Sequence, residues 1–216
     1  NILTKLNIYH KILTVVIGYI FLPMIISIPF YLSIYNLSFL NSYFEAISGF
    51  TSTGFTIFNN IKHIDESLII WRSTSQWIGG LYFLFSIILL IDIFDENFKK
   101  TLTNFLSLNL SETLKQSLKI ILLYSLITLL IFIILKIINF RTFDSFNLSM
   151  SLISSGGFLP FNDITIILNS KVKIIIFSLL MLSSYFSLFL GYNLIFKKKS
   201  FNFYSEDFYL LIYLVI

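Results

Sequence analysis

The chain has 216 residues, 56% hydrophobic and only 12% charged, with a mean hydropathy of +0.87. A soluble domain carries about a quarter charged residues, so this balance points to an all-α polytopic membrane protein. There is no cysteine, which excludes disulfides, thiolate catalysis and cysteine metal sites, and the net charge of +4 comes from loop lysines that read as topology and not as a nucleic-acid surface.

A membrane-spanning helix needs roughly 20 largely apolar residues. The first such run is about 12–35, "ILTVVIGYIFLPMIISIPFYLSIY", too long for the core of a cleaved signal peptide. Pro23 and Pro29 are expected to kink it. Next comes "NSYFEAISGFTSTGF" (41–55), whose first half suits a short helix and whose second half is a Gly, Ser and Thr tract. The second run, about 68–94, contains "WRSTSQWIGG". Its Arg72 and the preceding Glu45 have two readings. Glu45 draws cations to a mouth, or it pairs with Arg72, because an unpaired charge at mid-bilayer costs roughly 2.5–3.5 kcal/mol. Gly79-Gly80 is read as close helix packing in preference to a hinge. Trp71 and Trp77 are expected near the outer interface.

Asp92, Asp95 and Glu96 precede Lys99 and Lys100 and read as a solvated helix end. The connector 101–117 repeats Leu at spacing four, which suits an amphipathic stretch at the inner interface, and Asn109 with Glu112 could cap the next helix. The third run is about 118–138. It leads into "FDSFNLSMSLISSGGFLPF" (143–161), again a short-helix sequence followed by a Gly and Ser tract. The fourth run is about 172–196, closed by Lys197 to Lys199, a positive-inside anchor or a dock for a regulator or anionic lipid. A fifth begins near 208. The chain opens on Asn1 and ends inside that apolar run, so it is read as a segment of a longer polypeptide.

An offset of 103 places Ser48 on Ser151, Ser52 on Ser155, Gly54 on Gly157 and Phe55 on Phe158. The chain therefore divides into two helix–hairpin–helix repeats, 1–97 and 98–200, with 201–216 opening a further segment. Counting Lys and Arg puts nine on the side of the termini and the 99–119 connector and six on the hairpin side, so both hairpins are expected to enter from outside. Non-helical backbone at membrane depth must be buried in protein or line a watery cavity. Its carbonyls can replace the water shell of a cation, and glycine allows the backbone the conformations that this needs. The C-terminus of each short helix adds partial negative charge. Enzymatic readings fare poorly: His10 and His63 lie outside the apolar runs, and an aspartyl protease needs two membrane-embedded Asp residues where Asp92 alone comes close.

"FEAISGFTSTGF" followed by "WRSTSQWIGG" resembles the Trk/Ktr/HKT superfamily of potassium transporters, and "SLISSGGF" resembles the second loop core of that family. The resemblance implies four helix–pore loop–helix repeats around one path, two of them here. It implies a selectivity filter at Thr51, Ser52, Thr53, Gly54 and Phe55 and at Ser154, Ser155, Gly156, Gly157 and Phe158, with Glu45 and Arg72 supporting the loop. It further implies potassium uptake across the cell membrane, no cofactor beyond the transported K+, a homodimer of the full-length subunit and a cytoplasmic nucleotide-binding regulatory partner. A sodium-permeable relative and a non-conducting subunit that keeps the fold are the alternatives.

Overall fold

The computed structural model describes residues 8–90 and 113–181. Expectations for the acidic helix end, the Asn109–Glu112 cap, Lys197 to Lys199 and the fifth run lie outside those residues. Among the described residues every regular element is helical. Helix α1 is Ile8–Ser33, α2 is Phe39–Phe50, α3 is Glu66–Leu90, α4 is Thr113–Ile137 and α5 is Thr142–Ile153. A sixth helix, α6, opens at 171 and is described through 181. Two 3-10 turns, Ile61–His63 and Ile164–Ile166, lead toward α3 and α6.

Two of these helices, α1 and the 117–137 part of α4, are long and apolar enough to cross a membrane, yet only 22% and 28% of their most apolar stretches are buried. A core helix of a soluble protein would hide such a surface. Here Leu13, Ile17, Phe21 and Ile25 of α1 and Leu122, Leu129 and Ile133 of α4 face outward. The interior holds Glu45, Arg72, Gln76, Asn147 and a series of serines beside apolar side chains such as Phe30, Phe50 and Leu148. Apolar side chains outward with polar ones kept inside is the arrangement that lipid favours, because a polar group facing hydrocarbon has no partner.

The prolines of α1 show how such partners are found. The α1 helix runs through both. A proline lacks an N–H and pushes on the preceding turn, so carbonyls before it lose their usual donor geometry. Three residues before Pro23, the Ile20 carbonyl accepts from Tyr43 Oη of α2 at 3.2 Å. Three residues before Pro29, the Ile26 carbonyl accepts from Trp71 Nε1 of α3 at 2.9 Å. Each of these two α1 carbonyls thus ties a different helix to α1. Trp77, expected near an interface, is half-buried between helices and donates to Thr128 Oγ1 of α4 at 3.0 Å.

Helix α3 packs against α1, α2 and α5, and so joins the two hairpins. Arg72, Ser75, Gln76, Gly79 and Gly80 share one of its faces by the three- and four-residue spacing of a helix. A Cβ on Gly79 would strike the Phe50 carbonyl at the end of α2, and one on Gly80 would meet Tyr124 Oη and, at 3.1 Å, Ser154 Cβ. The glycine pair is therefore a packing surface for both hairpins. Gly79→Ala meets backbone that cannot yield locally, so the variant should be destabilised by about 1–3 kcal/mol. Thermal unfolding in detergent against Gly18→Ala, whose obstacle is the movable Tyr82 hydroxyl, measures the difference.

Candidate functional site

Each short helix ends in a loop, and backbone features of the two hairpins recur at a spacing of 103. Asn36 and Asn139 precede the short helices with φ of 61° and 64°. Ser42 Oγ and Ser145 Oγ donate back to the Ser38 and Arg141 carbonyls at 3.1 and 3.0 Å. After the helices, Ser52 and Ser155 take φ of 55° and 53°. Their N–H groups donate to the Gly49 and Leu152 carbonyls at 2.9 and 3.0 Å. The next residues, Thr53 and Gly156, donate to the Ser48 and Ser151 carbonyls at 3.0 and 2.7 Å. Left-handed backbone at a serine costs about 1–3 kcal/mol and persists only where surroundings impose it.

The two loops meet at their glycines. Gly54 has φ +80°, and a Cβ there would lie 2.5 Å from Gly157 Cα and 2.8 Å from Gly157 N. A Cβ on Gly157 would lie 3.2 Å from Gly54 Cα. Backbone touches backbone, with no space for a side chain at Gly54. Of the remaining residues singled out in the sequence, Thr51 and Ser154 cap the short helices. Thr51 Oγ1 donates to the Ile47 carbonyl at 2.7 Å, so Thr53 supplies the proton of the 2.7 Å bond between their hydroxyls. Phe55 is 69% exposed, whereas Phe158 is 1% exposed with the Arg72 guanidinium 4.2 Å above its ring. The two loops are thus alike in backbone through Ser52 and Ser155 and unlike at their glycines and in how their phenylalanines are held.

Support comes from beneath and beside. Ser48 Oγ donates to the Phe55 carbonyl at 2.6 Å, and Ser151 Oγ donates to the Gly156 carbonyl at 3.0 Å. Arg72 Nε lies 2.8 Å from Glu45 Oε1, with both side chains essentially fully buried. Glu45 also accepts from Thr56 Oγ1 at 3.0 Å and from the Ile57 N–H at 3.0 Å. Arg72 reaches the other loop through Nη1, which donates to the Leu159 carbonyl at 3.4 Å. One ion pair therefore ties α2, α3 and both loops together.

Other contributors carry no local sequence signal. Gln76 is fully buried. Oriented by its partners, its amide nitrogen donates to Ser151 Oγ at 2.9 Å and its oxygen accepts from the Gly157 and Phe158 N–H groups, each at 3.0 Å. Asn162 Oδ1 accepts from the Ile61 N–H at 2.7 Å, and its Nδ2 donates to Asn60 Oδ1 at 2.9 Å, stitching the loop ends. The Thr165 N–H bonds Asp163 Oδ1 at 2.9 Å and holds that carboxyl below the usual carboxylate range.

Comparison with known proteins decides the relationship. The chain is 27% identical over 207 residues to a protein of Methanocaldococcus jannaschii named as an uncharacterized cation transporter, covering 92% of this chain and 42% of that one. It is 40% identical over 55 residues, 26% of the chain, to the Trk system potassium uptake protein TrkI of Halomonas elongata. It is 32% identical over 68 residues, 31% of the chain, to TrkG of Escherichia coli. The chain is thus similar to an uncharacterized cation transporter over most of its length and to Trk potassium uptake proteins over about a quarter to a third of it. It spans less than half the length of each of these proteins. No family model and no solved structure matches it.

Proposed function

We propose that the chain forms part of a potassium-conducting path through the cell membrane, as a multi-pass subunit with two helix–pore loop–helix repeats, 1–97 and 98–200. The observation that carries the reading is the meeting of Gly54 and Gly157, backbone against backbone, where two half-length helices end. Ions shed water onto carbonyls of Thr51 to Gly54 and Ser154 to Gly157, and two further loops complete the ring. The negative ends of α2 and α5 favour a cation there. Relatives named as transporters support a role without enzymatic chemistry. The full-length subunit dimerises and is regulated by a cytoplasmic nucleotide-binding partner, and both hairpins enter from outside.

The test is cation uptake by the full-length protein in a strain that lacks its own potassium uptake. Growth should be restored at low potassium, with K+ uptake exceeding Na+ uptake. Equal uptake of the two ions would favour the sodium-permeable alternative. No flux from well-expressed protein, in cells or in proteoliposomes, would favour the non-conducting one.

A further inference from the structure

We propose that Gln76 is a positioning residue for the second loop: its amide oxygen locks the peptide that joins Gly157 to Phe158, so that the Gly157 carbonyl faces the ion path. This rests on the loops being the ion-binding element.

The argument starts from peptide geometry. The N–H and C=O of a trans peptide point in opposite directions. The Phe158 N–H is bonded to Gln76 on α3. The Gly157 carbonyl, which belongs to the same peptide, is therefore turned away from α3. A second bond from the Gly157 N–H to the same oxygen fixes the neighbouring peptide too. Flipping either peptide would leave a buried acceptor and a buried donor unmet, which disfavours the flip. Ser151 holds the Gln76 amide in place from below, since its own proton goes to the Gly156 carbonyl and its oxygen is free to accept.

Gly156 gives independent support. Among the described glycines only Gly54 has a positive φ, so backbone conformation does not call for glycine at 156. Space does: a Cβ there would strike the Gln76 amide. The first loop has Thr53 at the matching position, and among the described residues its bonds go to the Ser48 carbonyl and the Thr51 hydroxyl and not to a side-chain amide. The residue on α6 that matches Gln76 is Leu179, which is exposed. The lock is thus one-sided. It reaches from the first hairpin's helix to the second hairpin's loop.

Three variants of the full-length protein test this, with K+ and Na+ uptake normalised to monodisperse protein extracted in detergent. Gln76→Met keeps length and loses the acceptor, and should lower the preference for K+ over Na+ about tenfold. Gln76→Glu keeps an oxygen for both N–H groups and should recover most of that loss. Gly156→Ala displaces only the end of a flexible side chain, so it should fold normally and still behave like Gln76→Met. A packing role alone predicts the reverse order, with Met tolerated and the buried carboxylate harmful. Wild-type selectivity in both Gln76→Met and Gly156→Ala, alongside loss in Gly157→Ser, would reject the lock and leave the filter reading intact. Wild-type selectivity in Gly157→Ser as well would remove the filter reading itself. Should Gln76→Met fail to fold, Gly156→Ala decides.

Discussion

Gly54→Ser should express and reach the membrane but lose most of its preference for potassium over sodium, about tenfold or more. Two features act at this one position. Its φ of +80° lies where L side chains are strained, and its Cβ would come within 2.5 Å of the facing Gly157 Cα. The obstacle is backbone, so the serine cannot be accommodated by a rotamer change. Either the loops separate or the Gly54 peptide rotates, and both displace the carbonyls that the proposed function assigns to the ion. Gly157→Ser should be milder. A Cβ there meets Gly54 Cα at 3.2 Å, which a shift of a few tenths of an ångström relieves, and its φ is not in the left-handed region. The measurement is paired K+ and Na+ uptake with expression matched by blot. If Gly54→Ser is well expressed and keeps wild-type selectivity, residues 51–55 do not select the ion.

The positions of the helices were legible because membrane helices are set by length and hydropathy. The apolar runs beginning near 12, 118 and 172 correspond to helices beginning at Ile8, Thr113 and residue 171. The short helices were legible from their polar, serine-rich sequences between such runs. Both run two residues past the stretches read as helical, "NSYFEAIS" and "FDSFNLSMS", to Phe50 and Ile153, because the loops fold back on the last turn of each, and Ser38 Oγ caps the start of the first. The pairing of Glu45 with Arg72 follows from electrostatic cost, since two isolated charges beside membrane helices are dear and a pair is not. What the sequence concealed is long-range. Gln76 meets a loop some eighty positions away, and Tyr43 and Trp71 donate to α1 carbonyls 23 and 45 residues earlier. No periodicity encodes such partners. The one local hint was the three- and four-residue spacing of Arg72, Gln76 and Gly79-Gly80 on α3, which marks a single face but not what that face holds.

Glu45→Gln should be among the most damaging single changes in the chain, and worse than Arg72→Met. Breaking a buried ion pair by removing one partner costs about 3–5 kcal/mol, because the other charge is left uncompensated. The two partners differ in what they can do afterwards. Glu45 without its arginine keeps two donors for its oxygens, Thr56 Oγ1 and the Ile57 N–H. An arginine without its glutamate stays charged. In Glu45→Gln it would keep neutral partners, the new amide oxygen, Thr56 Oγ1, the Leu159 carbonyl and the rings of Phe158 and Phe58, but no countercharge among the described residues. The double change Glu45→Gln with Arg72→Met removes both charges and should recover more than half of the loss, since buried pairs can often be replaced by neutral groups at little cost. Thermal unfolding of the three variants in detergent would show the order. Equal damage from the two single changes, or no recovery in the double, would mean that the pair acts through packing of its side chains on Phe158 and not through its charge.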